Sequence, residues 1–231
     1  NSKGEQIFPG YSQGGETGPG GWPTWISGPA PGRSLQFAFT AGFFRNMVFD
    51  NAAWDFNTFN FDTGVKLADE KQAHALNATD ANMKAFKARG GKLILYHGWS
   101  DAAIPPLSTV SYYNKILATM GARDTEQFVR LYMVPGMQHC SGGPGPNSFD
   151  QFGVSSAPAD PRRSVFAAVV EWVEKGAAPG SIIAAKYADD LNPGKEPTMT
   201  RPLCPYPRTA RYKGAGDTNA TENFECAAGN K

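Results

Sequence analysis

Three positions in this 231-residue chain have the side chains and settings that nucleophilic catalysis uses. Ser12 stands in "GYSQGG", Gly10 to Gly15, which contains the pattern Gly-x-Ser-x-Gly of many serine nucleophiles. Asp101 follows the apolar run "KLILYHG", and His139 lies in "PGMQHCSGGPG" after the apolar run "FVRLYMV". A carboxylate bonded to an imidazole fixes its tautomer and stabilises its charged form, so an acid and a histidine at equivalent strand ends could be the acid–base half of a triad. Plainer readings stand beside this one. An aspartate in a loop after a strand is also a turn former or helix cap. A histidine beside Cys140 is also an ordinary loop residue or a metal ligand, but the other two histidines, His74 and His97, lie at no ligand spacing to it, and zinc is not expected.

These residues need a scaffold, and the sequence supplies one. Ser34 is suited to cap a helix from Leu35 to about Asp50; an irregular aromatic connector, Asp55 to Asp62, leads to a second helix near Val65 to Leu76. Asp80 can cap a third helix ending at Gly90-Gly91. The "KLILYHG" strand precedes a helix, Ser108 to Met120, with Val110, Tyr113, Ile116 and Leu117 at helical spacing and Gly121 as its stop. The "FVRLYMV" strand precedes a helix from about Ser164 to Lys175, whose Phe166, Val169, Val170 and Val173 are expected on one face. Strand alternating with helix implies an α/β fold with a parallel sheet covered on both faces, whose ligands gather beyond the carboxyl ends of the strands. The order acid then histidine fits the α/β-hydrolase order Ser, Asp/Glu, His.

Ser12 fails the same test. A nucleophile elbow needs a buried strand before it and a helix after it. Upstream, "NSKGEQIFP" has only Ile7 and Phe8 as apolar residues; downstream, "GETGPGGWP" is built from the two poorest helix formers. Ser12 is read as a loop serine.

Lysine and arginine number 22 against 21 acidic residues with no long run of one sign, so neither a phosphate-tracking surface nor a nucleic-acid partner is expected. The apolar stretches are far shorter than the roughly 20 residues that span a bilayer. Glycine and proline concentrate in Pro9 to Gly32 and Pro193 to Gly216, which are expected to be loop-rich but packed. The three cysteines Cys140, Cys204 and Cys226 leave an odd one in any internal pairing. Asn77-Ala78-Thr79 and Asn219-Ala220-Thr221 are N-glycosylation acceptors by pattern. Without an initiator methionine, the chain is expected to begin inside a longer one.

Together, "LILYHGWSDAAIPP", "VPGMQHCSGGPG", "MVFDNAAWDFNTFNFD" and "RPLCPYP" resemble the tannase and feruloyl esterase family of secreted serine esterases across nearly the whole chain. The resemblance implies an α/β-hydrolase fold with a large inserted lid. It makes residues 1–78 the end of the lid with its return to the core, and 79–231 the C-terminal half of the catalytic domain. Asp101 then matches the catalytic acid of "HGxxD" and His139 the catalytic base of "HC". The family's nucleophile stands in "CSxGG", which this sequence lacks, so the resemblance places the serine on a missing N-terminal segment or chain. Cys140 would bridge to that segment, and Cys204 and Cys226 would close the C-terminal tail.

The implied activity is hydrolysis of esters of hydroxylated aromatic acids such as gallate or ferulate, in a secreted enzyme (periplasmic if bacterial), with no catalytic metal or redox cofactor. The family's lid can hold a structural calcium; Asp55, Asp62, Asp69 and Glu70 are read here as caps and surface charges. Trp22, Trp25, Phe43, Phe44, Arg45 and Trp54 are candidates for a pocket around a planar phenolic acid. The competing readings are a noncatalytic phenolic-binding module and a self-contained cutinase-like esterase using Ser12.

Overall fold

A computed structural model describes residues 1–152, 160–190 and 196–229. Its centre is a pair of parallel strands, β1 (Leu93–Gly98) and β2 (Val129–Val134), aligned from Leu93 opposite Val129 to Gly98 opposite Val134. Side chains alternate across a strand. On one side Leu93, Leu95, Val129, Leu131 and Met133 pack with Val110, Tyr113 and Ile116 of α5 (Pro106–Met120). On the other, Ile94, Tyr96, Tyr132 and Val134 pack with Val165 and Ala168 of α7 (Val165–Lys175) and with Ile182 and Ala184 of β3 (Ile182–Lys186). Two covered faces explain why both strands read as continuous apolar runs.

The helices follow local signals with three differences. Ser34 Oγ accepts from the Phe37 N–H and starts α2 (Leu35–Phe43), but the helix then widens into a π-helical turn, Phe44–Val48, before Asp50. Asp80 does not cap α4 (Lys84–Ala88): its Oδ1 accepts from the Asn82 N–H in a tight local turn, and the helix starts later. In α7, capped by Ser164 Oγ on the Ala167 N–H, the inward stripe is Val165, Ala168 and Trp172; Phe166 and Val173 are 64% and 58% exposed. The expected face was one residue out of register because the helix is apolar nearly all round, and Trp172, with the largest area to bury, took the inside.

The short helices α1 (Trp22–Trp25) and α6 (Ala122–Thr125) and the longer α3 (Thr63–Leu76) are the other α-helices among the described residues. Strand content extends further than expected, into the tail. β3 pairs antiparallel with β4 (Met199–Leu203), and β5 (Arg208–Tyr212) pairs antiparallel with β6 (Phe224–Ala228). Cys204 and Cys226 form a disulfide with Cα atoms 5.6 Å apart, and Cys140 is free. No helix among the described residues is long and apolar enough to cross a membrane.

Candidate active site

The parallel register brings the two strand ends together. Gly98 closes β1, and a Cβ there would run into the backbone carbonyl of Met137 in the loop after β2. Backbone bonds stitch the same junction: Trp99 N–H donates to Val134 O at 2.9 Å, and Ser100 N–H to Met137 O at 3.0 Å. Asp101 and His139 therefore meet, with His139 Nδ1 3.0 Å from Asp101 Oδ2.

Asp101 is 5% exposed, yet its carboxylate is well satisfied. Oδ1 accepts from the N–H groups of Ala103 (2.7 Å) and Ile104 (2.9 Å). Oδ2 accepts from His139 and from His97 Nε2 at 3.1 Å. Burial by itself raises the carboxyl pKa, but the hydrogen bonds from His97, Ile104, His139 and Ala103 outweigh it and hold the group at about 2. The acid is thus ionised at neutral pH and can only accept, so His139 carries its proton on Nδ1. Nε2 is left as the basic nitrogen, the arrangement a general base needs.

The loop bearing His139 is itself tethered. Buried Asn147 accepts from the Gly142 N–H (3.2 Å) and donates to Gly145 O and to Asp190 Oδ2, both at 3.0 Å. Gln151 donates to Cys140 O at 3.2 Å, and Lys186, ion-paired with Asp190, donates to Gly143 O at 2.7 Å. Cys140, next to His139, adopts φ +64°, a left-handed conformation costly for a residue with a Cβ. Burial pushes the Cys140 thiol pKa up, and the Asp101 charge adds to that effect.

A cavity of about 710 Å³ opens beside His139, with Trp25, Gln138, Gly142, Lys186 and Asp190 among its walls. The Trp25 ring meets the His139 ring edge-on, centroids 5.2 Å apart. Of the six aromatic-pocket candidates, only Trp25 lines this cavity. Phe44 and Trp54 belong to an aromatic cluster with Phe49 and Phe59, and Phe43 leans edge-on against Phe44. Arg45 Nε donates to Trp54 O at 3.2 Å, so Arg45 ties that cluster together. Trp22 opens α1 and is 37% exposed.

Ser12 is neither on a strand-to-helix turn nor among the residues lining the cavity. Its flanking glycines have another use. Gly15 is buried against Ser100, where a Cβ would lie 2.6 Å from the Ser100 carbonyl oxygen, and Ser100 Oγ donates to Gly14 O at 3.1 Å. The glycine-rich stretch is a strap laid against the turn that carries Asp101, and glycine is needed for the close approach.

Asp55 Oδ1 caps its own short turn by accepting from the Asn57 N–H, Asp62 accepts from the Ser2 N–H, and Glu70 pairs with Lys66. No group of three or more His, Cys, Asp or Glu residues among the described residues is placed to hold a metal ion. Asn77 and Asn219 are exposed. Sequence reasoning passed over His97, although its spacing of four residues from Asp101 across "HGWSD" was a readable signal. It also missed Asn147, Lys186 and Asp190, which act through loop geometry and leave no motif.

The family model for "Tannase and feruloyl esterase" matches residues 1–227. An esterase of Xanthomonas campestris pv. campestris is 40% identical over 245 residues, covering 96% of this chain and 42% of that protein. The mono(2-hydroxyethyl) terephthalate hydrolase of Piscinibacter sakaiensis is 47% identical over 152 residues, 65% of this chain and 22% of that protein. The crystal structure of feruloyl esterase B from Aspergillus oryzae superposes with a TM-score of 0.74 at 30% identity, over 83% of this chain and 38% of that one. The chain thus spans less than half the length of these relatives. With a family match over nearly its whole length and a shared fold consistent with an α/β-hydrolase, the chain belongs to the tannase and feruloyl esterase family.

Proposed function

We propose that this chain supplies the acid and base of a serine carboxylic-ester hydrolase that acts on esters of aromatic acids. The observation that carries the reading is the 3.0 Å bond between His139 Nδ1 and a buried, fully hydrogen-bonded Asp101, beside a cavity that Trp25 helps to line. In the reaction, a serine hydroxyl attacks the ester carbonyl while His139 Nε2 takes its proton. The imidazolium, stabilised by Asp101, returns that proton to the departing alcohol, leaving an acyl-enzyme. Water, activated by the same nitrogen, then releases the acid.

The nucleophile is assigned to an N-terminal segment of the same enzyme that is not in this sequence, with residues 1–78 as the end of a lid and 79–231 as the second half of the catalytic domain. Cys140 is the point of covalent attachment to that segment, a bond that would also hold the strained turn beside His139. This reading puts the enzyme in an oxidising, extracellular or periplasmic setting, with Asn77 and Asn219 open to glycosylation and any structural calcium in the absent part of the lid. The substrate class follows from the relatives' names, a feruloyl esterase and a terephthalate monoester hydrolase, which share an aromatic acyl group.

The test is the complete enzyme with His139→Ala, assayed on methyl ferulate, methyl gallate and mono(2-hydroxyethyl) terephthalate. Loss of at least about a thousandfold in kcat is expected on the preferred substrate. Unchanged turnover without His139 overturns the proposal, and phenolic binding with no turnover in the unmodified enzyme favours a binding module instead.

A further inference from the structure

Asp101 Oδ2 accepts from two histidines, and the proton-transfer scheme uses only one. Oδ1 is fixed by two backbone N–H groups, but without His97 the one remaining hydrogen-bond partner of Oδ2 among the described residues would be His139, a side chain on another loop that is 36% exposed. His97 is differently placed. It lies on β1, its side chain is 11% exposed, and its Nδ1 is 2.7 Å from Thr109 Oγ1 on α5. Its Nε2 faces two atoms that can only accept, Asp101 Oδ2 at 3.1 Å and Ile104 O at 3.2 Å, so Nε2 carries the proton and Nδ1 accepts from the Thr109 hydroxyl.

We propose that His97 is a positioning residue for the acid–base pair, its Nε2–H anchoring Asp101 Oδ2 at the point where His139 Nδ1–H meets it. The chain of bonds runs from α5 through Thr109 and His97 to Asp101 and His139, so a rigid helix and strand orient a carboxylate that sits in a loop. Two donors on one oxygen also limit how strongly Asp101 pulls on the proton of His139. The Tyr11 phenol, held by Gln36, and the Cys140 thiol also sense the Asp101 charge. The assignment rests on the reading of Asp101 and His139 as acid and base.

The test is nitrogen-15 histidine and carbon-13 carboxyl NMR on the full chain as wild type, His97→Leu and His97→Gln. In the wild type His97 is expected protonated on Nε2 and His139 on Nδ1. In His97→Leu, His139 should become a mixture of tautomers and Asp101 should titrate at higher pH than in the wild type. In His97→Gln, whose amide N–H reaches the same place, both should revert. In the complete enzyme His97→Leu should lower kcat about tenfold or more with KM little changed, and His97→Gln should recover most of it. A single Nδ1–H tautomer of His139 with an unmoved Asp101 titration in His97→Leu overturns the role. So does a wild-type His97 protonated on Nδ1, a measurement that needs no variant to fold. Because the NMR readouts use no substrate, positive shifts in this chain together with no esterase activity in the complete enzyme would sustain the His97 role and remove the hydrolase reading.

Discussion

At the scale of single residues, the site depends on a carboxylate that is buried and still ionised. Asp101 titrates at about 2 in the folded chain, below the ordinary value of about 3.9. A depressed acid stabilises the fold above its unfolded pKa, and that contribution disappears as pH falls through the folded value. Asp101 is therefore expected to add on the order of 2 kcal/mol at neutral pH, lost progressively from about pH 5 towards pH 2. Urea unfolding across that range checks this, with Asp101→Asn losing part of the pH dependence. In the complete enzyme Asp101→Asn should cut kcat about ten-thousandfold, because an amide N–H facing His139 forces the wrong tautomer. Ser12→Ala, by contrast, should leave turnover within about twofold, as measured by the same ester assay.

Elements carry the next level of specification, and here the sequence was partly transparent. β1, β2 and α5 were legible because each has a clean apolar period and a clear stop, as at Gly121. Asp101 and His139 could be placed because strand ends are where such a fold gathers its ligands. The face of α7 was misjudged because local pattern cannot rank Trp172 against Phe166 without knowing what the helix packs on. The tail strands were hidden by proline and glycine, since β4 holds Pro202 and its pairing with β3 is settled by tertiary contact. His97 was passed over because its role depends on a loop folding back four residues later. The α7 cap gives an element-level check: Ser164→Ala removes the acceptor for the Ala167 N–H and a donor to Asp150 Oδ2, and should cost about 1–2 kcal/mol in denaturant unfolding.

For the molecule as a whole, the disulfide and the strap set what holds the outer parts to the core. Cys204 and Cys226 are 22 positions apart, and closing a loop of that size stabilises by about 3 kcal/mol in the chain-entropy account. Replacing both with serine should lower the unfolding free energy by about that amount without moving the Asp101 titration, because the bond joins the end of β4 to β6 and not to the site. Gly15→Ala should act the other way, disturbing the Asp101 turn through Ser100 more than it lowers overall stability; carbon-13 titration and urea unfolding together separate the two.

The acid and the base lie 38 positions apart, and the span between them consists of little more than α5, α6 and β2, the strand that pairs with β1 just before the acid. Much of the cavity wall, Gln138 and Ser141 to Pro144, belongs to the loop that carries the base, so a change to that wall also reaches the acid–base pair.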